Sequence, residues 1–396
     1  MRVVILGNYP IYPFIDRLGI QKKAIKRITS WNFTFVNELR KIANTEIYVI
    51  TSGKGVLNKT TIIEENNLHI FYLVESKLMT GLTMFNNFVR QSHKLIETIK
   101  PDIVHGIGTE HIWPYAAVSS GYPCIVTVHG IMSEIVKKVK TPLFSRMRYF
   151  AHLEKKTLRY TKNLIVISPY VEQMLAQYTK AEMYPIENPI SDIYYDVLAK
   201  PNNNKTILFV GDTLERKSLG TLLEAFSTLV ANSNASDWNI NVVGPIKRGD
   251  YYNNVIVPTM IKNNISQRIN FKGFMFPEQL AEEYSKSACL VLTSIEETAP
   301  MCIAEAMAVG LPVIASRISG IPYMVKEGES GFLFEPKNVV ELAEKMKILI
   351  ENPSLRVKMG SAGRRSAAER WKPQMIVQKT SDIYSKIIGE NPCGKI

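Results

Sequence analysis

Cysteine is scarce in this 396-residue chain, which contains only Cys124, Cys289, Cys302 and Cys393. No two of them form a C-x-x-C pair, the spacing found in many structural zinc sites. The pattern therefore predicts no structural zinc. Unpaired thiols in a reduced cytosolic compartment are its simplest interpretation.

Long apolar runs are missing too. No stretch approaches the roughly 18 consecutive apolar residues that suggest a membrane span, although 46% of the residues are hydrophobic. The opening residues, MRVVILG, lack the long apolar region and the small-residue cleavage site of a secretory signal. We therefore expect a cytoplasmic protein with well-packed cores.

The net charge is +12, and most of the excess lies in the first half. Residues 1–195 carry 24 basic against 15 acidic side chains, whereas residues 196–396 carry 24 against 21. A basic half suits nucleic acid, an anionic membrane or a phosphorylated substrate. There is no zinc-finger spacing, RNP-like aromatic motif or basic zipper, so we expect no nucleic-acid partner.

Short apolar segments alternate with helical patterns along the whole chain. Segments that are apolar on both faces and separated by helices predict parallel sheets covered on both sides. The fold class is thus α/β, with two Rossmann-like, doubly wound domains in series that face a central cleft. The predicted strands are 2–7, 46–51, 69–74, 102–106, 124–129 and 164–168 in the first half, and 205–211, 238–244, 268–273, 289–294 and 312–316 in the second.

The polar stretch PNNNK, residues 201–205, has the composition of a linker. It sets the predicted boundaries, with a first domain over 1–200 and a second over 201–370. The last segment, 371–396, is expected to be a helix that crosses back to the first domain.

The stretch EETAPMCIAEAMAVGLPVIAS, residues 296–316, places Glu297 and Glu305 eight positions apart around Pro300. A proline is tolerated in a first helical turn and disfavours helix in the residue before it. We therefore expect Glu297 on the loop after a strand and Glu305 about one turn into a new helix, which Gly310 ends.

The first turn of this helix predicts an anion site. The backbone N–H groups of Met301, Cys302 and Ile303 should lack intrahelical partners and lie at the positive end of the helix dipole. Together with two carboxylates that accept hydroxyl hydrogen bonds, they suit a ligand that carries both phosphate and sugar hydroxyls.

Several motifs of the second half resemble glycosyltransferase family 4, whose members are retaining, GT-B-fold enzymes that use nucleotide-sugars. The most specific is Glu-x7-Glu followed by Ala-Met-Ala-x-Gly-x-Pro-Val, and the first half agrees more loosely. The resemblance implies an acceptor-binding first domain and a nucleotide-sugar-binding second domain. Its motifs are VGDTLERKSLGTLLEAF (210–226), NVVGP (241–245), INFKGF (269–274), the stretch 296–316 and GIPYMVKEGESGFLFEP (320–336), with PDIVHGIG (101–108), CIVTVHGI (124–131), LIVISPYV (164–171) and ENPI (187–190) in the first half.

The resemblance assigns roles to individual residues. Glu297 matches the glutamate that meets the donor sugar's hydroxyls, and Glu305 the one that binds the ribose hydroxyls. Lys217, with Arg216 beside it, matches the basic pair at the diphosphate, and His129 matches a histidine that faces the donor sugar. The further substrate-binding residues expected are Gly19, Gly211, Gly244, Phe274, Pro300, Met301, Cys302 and Ile303.

The chain departs from the family pattern at three places. Asp212 follows Gly211 where the family usually has arginine, which removes one expected phosphate cation. Thr298–Pro300 replaces a common Phe-Gly pair, so the sugar preference does not carry over. Near the N-terminus, Gly19-Ile20 within the basic segment 17–27 stands where relatives often have a Gly-Gly loop.

The chain contains no Asp-x-Asp, so a carboxylate-held Mg²⁺ has no evident seat. We expect no cofactor and no metal. Arg216, Lys217 and the helix amides would instead offset the charge of the leaving diphosphate.

The leading function is thus transfer of a hexose-type sugar from a nucleotide-sugar, with UDP favoured over GDP, to a glycan or lipid-linked acceptor in bacterial cell-surface polysaccharide synthesis. The cluster Lys22, Lys23, Lys26 and Arg27 predicts peripheral contact with an anionic membrane at its inner face. An NAD-dependent oxidoreductase is disfavoured because no G-x-G-x-x-G follows a strand. A non-catalytic nucleotide-sugar or polysaccharide binding protein stays open because of Asp212.

Overall fold

A computed structural model of the chain describes residues 1–21, 30–52, 57, 59–74, 86–138, 142, 145–201, 204–232 and 235–389. The chain divides into two compact units. The first consists of Met1–Pro189 with Pro373–Ile396, and the second of Ile190–Lys372.

The first unit is built on an eight-stranded sheet in the order β3-β4-β2-β1-β5-β6-β7-β8. Every neighbouring pair is parallel except β3 and β4, which are antiparallel. Strands β5 and β6 are buried along their whole length, as expected of a parallel sheet covered on both faces. The strands are β1 Arg2–Leu6, β2 Glu46–Ser52, β3 Thr61–Glu65, β4 Leu68–Leu73, β5 Ile103–Ile107, β6 Cys124–Val128, β7 Asn163–Val166 and β8 Glu182–Pro185.

Helices connect these strands, and a last helix returns from the C-terminal segment. That helix, Pro373–Ile388, packs against the helix Ser30–Leu39 and contacts β5. The described helices of this unit are α1 Ile15–Leu18, α2 Ser30–Leu39, α3 Asn86–Ile99, α4 Trp113–Val118, α5 Met132–Lys138, α6 Arg146–Tyr160, α7 Pro169–Leu175 and, after the second unit, α14 Pro373–Ile388.

The second unit has a six-stranded, all-parallel sheet in the order β11-β10-β9-β12-β13-β14. The first strand in sequence lies inside the sheet and the chain winds outward from it in both directions, which is the doubly wound Rossmann order. Its strands are β9 Thr206–Val210, β10 Asn239–Val243, β11 Ile269–Gly273, β12 Cys289–Leu292, β13 Val313–Ser316 and β14 Gly331–Phe334, and its described helices are α8 Leu219–Ala231, α9 Val257–Lys262, α10 Pro277–Ser285, α11 Met301–Val309, α12 Val339–Glu351 and α13 Pro353–Arg370.

The predicted fold class is confirmed, with two Rossmann-like α/β units, and each of the predicted strands is present. Three strands were not predicted. β3 and β8 are edge strands with partly exposed residues, and β14 is a four-residue segment that begins at a glycine. β3 and β8 have too few buried positions for a periodic apolar pattern to form, and β14 is too short for one.

Residues 190–200 pack with the second unit, whereas the sequence places the boundary at residue 200. Ile190, Tyr194 and Ala199 are buried in the core formed around α11 and β12. These apolar contacts, rather than the polar composition of 201–205, determine where the unit begins.

Two of the cysteines are buried free thiols, namely Cys289 and Cys302. Cys124 is disulfide-bonded, so the expectation of wholly unpaired thiols is wrong for that residue.

Candidate active site

Gly211 and Gly244 end the neighbouring strands β9 and β10 of the second unit. A Cβ on Gly244 would lie 2.1 Å from the carbonyl oxygen of Gly211, and its φ of +140° is itself unfavourable for other residues. A Cβ on Gly211 would lie 3.3–3.4 Å from three side-chain carbons of Lys217. Gly244 therefore lets the two strand ends approach each other, and Gly211 leaves room for the Lys217 side chain. Their binding role stays a prediction.

Lys217 is held in a nearly buried position just after β9. It ends the short 3₁₀ turn Glu215–Lys217, and Ser218 follows in the left-handed region with φ +49°. The hydroxyl of Thr293, after β12, donates to the carbonyl oxygens of Lys217 and Ser218 at 3.0 and 2.8 Å. The ammonium group forms an ion pair with Glu297. The structure thus brings two predicted catalytic residues into direct contact.

Glu297 lies on the loop after β12, as predicted, and is fixed from several sides. The Ser294 hydroxyl donates to its Oε1 at 3.0 Å, and the N–H of Gly320 donates to its backbone oxygen at 3.0 Å. Arg216 Nη1 lies 3.7 Å from the same Oε1. All these side-chain contacts use Oε1. Within the described part of the chain Oε2 has no protein partner, so it can accept a ligand hydroxyl.

Arg216 joins two carboxylates. Its Nη2 lies 3.2 Å from Asp212 Oδ2, while Nη1 faces Glu297. The Arg216 side chain is 48% exposed, against 11% for Lys217. Of the two cations, Arg216 is therefore the one with room to move.

Glu305 lies in the second turn of α11 and is buried, with 5% of its surface exposed. The Tyr284 hydroxyl, from α10, donates to its Oε2 at 3.0 Å and to the carbonyl oxygen of Cys302 at 3.2 Å. Burial raises the pKa of Glu305 to about 7, and hydrogen bonds from Tyr284 and Tyr194 oppose the rise. No motif pointed to Tyr284, whose contact joins two separate helices. The ribose-binding role of Glu305 stays a prediction.

The start of α11 corrects one expectation about the helix amides. Pro300 precedes the helix in an extended conformation, and Gly310 ends it in the left-handed region with φ +86°, as predicted. However, the N–H of Ile303 donates to the carbonyl oxygen of Pro300 at 3.1 Å. This turn already engages that group, so the prediction of three available amides is wrong for Ile303. The amides of Met301 and Cys302 have no acceptor among the described residues.

Cys302 lies within electrostatic range of Lys217, Glu297 and Glu305, which places the start of α11 near both glutamates. Burial raises the pKa of its thiol to about 12, so the thiol is neutral and unreactive at physiological pH.

Phe274 follows β11, next to Gly273, whose φ is +71°. Its ring packs edge-on against Phe276 with the centroids 5.3 Å apart. The ring is half-buried, which leaves part of it available to a ligand. Its predicted place in the base pocket is not tested by these contacts.

His129 follows β6 in the first unit. Its Nε2 lies 3.1 Å from Asn188 Oδ1, and its ring packs on Trp31 with the centroids 4.3 Å apart. Burial lowers the pKa of His129 to about 4, and the bond to Asn188 opposes this shift only in part. The imidazole is therefore neutral at physiological pH, and its Nε2–H donates a hydrogen bond to Asn188 Oδ1.

Gly19 ends helix α1 in the left-handed region with φ +63°. Its conformation explains why glycine occurs there, whereas its substrate-binding role stays a prediction. The basic cluster Lys22, Lys23, Lys26 and Arg27 lies outside the described residues.

Comparison with known proteins agrees with this geometry. A family model described as glycosyl transferases group 1 matches residues 192–366, and one described as glycosyltransferase family 4 matches residues 30–192. The chain belongs to the family 4 type of glycosyltransferases. An uncharacterized glycosyltransferase of Methanocaldococcus jannaschii is 26% identical over 357 residues, which cover 89% of this chain and 93% of the relative.

Two solved structures have the same fold. A sucrose-phosphate synthase of Thermosynechococcus elongatus superposes with a TM-score of 0.76 at 19% identity, covering 98% of this chain and 99% of that one. The Anabaena protein HepE, solved with UDP-glucose, superposes with a TM-score of 0.71 at 15% identity, covering 98% and 100%. This glycosyltransferase therefore has the two-domain GT-B architecture.

None of the described helices is long and apolar enough to cross a membrane.

Proposed function

We propose that this glycosyltransferase moves a hexose-type sugar from a nucleotide-sugar to a glycan or lipid-linked acceptor, with retention of the anomeric configuration. The observation that carries the proposal is the Lys217–Glu297 pair. It holds a cation and a carboxylate together just beyond the carboxyl ends of β9 and β12, where open α/β sheets bind ligands.

In this proposal the second unit binds the donor. Lys217 and Arg216 offset the charge that develops on the diphosphate as the bond to the sugar breaks, and the amides of Met301 and Cys302 add to this stabilisation. The free Oε2 of Glu297 accepts a hydroxyl hydrogen bond from the sugar. Glu305 binds the ribose, which requires its carboxylate to exchange the Tyr284 hydroxyl for ribose hydroxyls.

We favour a UDP-sugar over a GDP-sugar. Support comes from HepE, which has the same fold and was solved with UDP-glucose. A panel of UDP-, GDP- and ADP-sugars tests the choice through melting temperature, because a ligand that binds the folded state raises it. The largest rise should occur with a UDP-sugar, and a larger rise with a GDP-sugar would contradict the nucleotide assignment.

The alternative is a binding protein that holds the nucleotide-sugar without transferring it. Arg216 and Lys217 both lie beside Glu297. This arrangement favours an enzyme over a binding protein, since cations at a leaving diphosphate promote cleavage of its bond to the sugar. Incubation of the purified protein with a radiolabelled donor and candidate acceptors separates the two, because only an enzyme yields labelled product and free nucleoside diphosphate. NMR of the product's anomeric proton then tests retention.

We further propose that the protein is a cytoplasmic enzyme of cell-surface polysaccharide synthesis that binds peripherally to the membrane. The support is helix α6, whose apolar residues Phe150, Leu153 and Leu158 point inward. The ionised side chains on its exposed side are all positively charged. The exposed cations are Arg146, Arg148, Lys155 and Arg159.

The acidic residue of helix α6 does not lie on that exposed surface. Glu154 is buried and accepts hydrogen bonds from the N–H groups of Met132 and Ser133 at 2.8 and 2.7 Å, at the start of α5. The other described helices that expose two or more cations each expose an acidic side chain as well. The charge of α6 therefore complements an anionic lipid surface without apolar insertion.

A further inference from the structure

Asp212 lies on the loop between β9 and α8, which also carries Arg216 and Lys217, and the proposed chemistry does not use it. Its Oδ1 accepts the N–H of Leu214 at 3.3 Å, and its Oδ2 accepts Arg216 Nη2 at 3.2 Å. Its side chain is only 18% exposed, so the carboxylate is fixed against the turn rather than extended into solvent. A carboxylate is thus built into a loop that is expected to bind a polyanion.

Both cations of this loop already have carboxylate partners before any ligand arrives. Asp212 and Glu297 supply two negative charges, and Arg216 and Lys217 supply two positive charges. A nucleoside diphosphate must therefore compete for cations that already have partners. Lys217 is nearly buried and bound to Glu297, whereas Arg216 is half-exposed and is the cation that a ligand can recruit.

We propose that Asp212 competes with the donor's diphosphate for Arg216 and so weakens the hold on the nucleoside diphosphate product. The inference rests on the proposed function, because it requires the diphosphate at this loop. Asp212 acts through Arg216 and does not itself contact the ligand. Its consequence is faster product release, at the cost of weaker donor binding.

The opposite role for Asp212 would be to hold Arg216 in place for the diphosphate. The two roles differ in sign. If Asp212 competes with the diphosphate, its neutralisation frees Arg216 and tightens diphosphate binding. If Asp212 holds Arg216 in place for the diphosphate, its neutralisation loosens Arg216 and weakens diphosphate binding. Arg216 is also held by Glu297, whose Oε1 lies 3.7 Å from Arg216 Nη1, so its position depends little on Asp212. Competition is therefore the stronger effect.

The substitution Asp212→Asn separates charge from shape. Asparagine keeps an oxygen for the Leu214 N–H, so the turn is preserved, and it removes the charge that holds Arg216. The matched control is Glu215→Gln, which removes one negative charge from the same loop at an exposed position with no ion pair to Arg216 among the described contacts.

Titration calorimetry with UDP and UMP measures the effect. We expect Asp212→Asn to bind UDP about fivefold more tightly than the wild type at low salt, the size of a surface ion pair. UMP should bind almost equally to both, because it lacks the second phosphate. Glu215→Gln should leave the UDP affinity within about twofold, and high salt should shrink the Asp212→Asn effect.

A double variant shows whether the effect passes through Arg216. On an Arg216→Ala background, Asp212→Asn should no longer tighten UDP binding, because the contested cation is gone. Tightening that persists there would overturn competition for Arg216, and weaker UDP binding by Asp212→Asn alone would assign Asp212 a positioning role. If neither UDP nor GDP binds the wild type, the proposed function fails together with this inference.

In turnover experiments, Asp212→Asn should show stronger inhibition by UDP and a lower KM for the donor. A lower KM with unchanged UDP inhibition would contradict a role in product release. Unfolding midpoints of the wild type and of each variant, measured beside these titrations, show whether the substitutions alter the fold.

Discussion

Lys217 and Glu297 depend on each other because each neutralises a largely buried charge. Their pairing comes from Gly211, which leaves space for the lysine stem, and from Thr293, which fixes the backbone of the turn. Removal of one member leaves the other uncompensated at low exposure, which is costly for a charged group. The pair is therefore both a structural contact and the proposed reaction centre.

Lys217→Met should reduce kcat by about 10²-fold or more, because it removes a cation from the leaving diphosphate while keeping the aliphatic stem. Steady-state turnover, measured well below the unfolding temperature of the variant, checks this. Lys262→Met, at an exposed position of α9, is the control and should behave as wild type. Near-normal kcat in Lys217→Met would remove Lys217 from the reaction.

Glu305 should make folding stability depend on pH. Its pKa is raised to about 7 in the folded protein by burial, against an ordinary value of 4.5. The folded state therefore holds its proton more tightly than the unfolded chain between these values. Stability contributed by the neutral carboxyl group is complete below pH 4.5 and is lost as pH rises towards 7, by up to roughly 3 kcal/mol.

Denaturant unfolding of wild type and Glu305→Gln at pH 5 and pH 8 tests this sign. The glutamine has no charge to bury, so its stability relative to wild type should increase from pH 5 to pH 8. A difference that is the same at both pH values would show that the carboxyl group of Glu305 does not titrate in this range.

At the scale of elements, the ends of β9 and β10 approach too closely for any residue but glycine at position 244. Gly244→Ala should destabilise the second unit by about 2–4 kcal/mol, through the clash with Gly211 and the left-handed backbone strain. Gly249→Ala is a control on the same connection, since a Cβ there meets no atom within 4 Å. Equal unfolding midpoints for the two variants would contradict this account.

The sequence predicts the elements that carry strong local signals. β12, Pro300, α11 and Gly310 follow one another as expected, because a buried strand, a helix start and a helix stop each depend on a few neighbouring residues. The contact between Tyr284 and Glu305 could not be predicted, since the two residues lie on separate helices and meet only through packing. The Asp212–Arg216 contact could not be predicted either, because it depends on how far the arginine side chain reaches.

At the scale of the whole molecule, the positive excess of the first half raises the question of what it binds. Sequence alone points to the cluster at residues 22–27, which lies outside the described residues. The exposed cations of helix α6, in the described part of the chain, form a second candidate surface. Each cation near an anionic bilayer contributes about 1 kcal/mol, so this helix alone gives weak and reversible attachment.

Co-sedimentation with vesicles tests the α6 surface. Wild type should bind vesicles that contain phosphatidylglycerol and should be released by salt, because the attraction is screened. Neutralising three cations should weaken partitioning by about 3 kcal/mol, or roughly 10²-fold. The variant is Arg148→Gln, Lys155→Gln, Arg159→Gln, and the control with the same change of net charge on exposed helices of the second unit is Lys262→Gln, Lys358→Gln, Arg365→Gln.

The control variant shows whether vesicle binding depends on the α6 surface or on the overall net charge. If both triple variants lose binding equally, overall charge and not α6 drives attachment. A further variant, neutralised at Lys22, Lys23, Lys26 and Arg27, tests the sequence-predicted cluster in the same assay. Equal binding of wild type to neutral and anionic vesicles, or to neither, would favour a soluble acceptor. Turnover with a water-soluble acceptor should be unchanged in the two triple variants, because their substituted cations lie at exposed helix positions outside the proposed donor site.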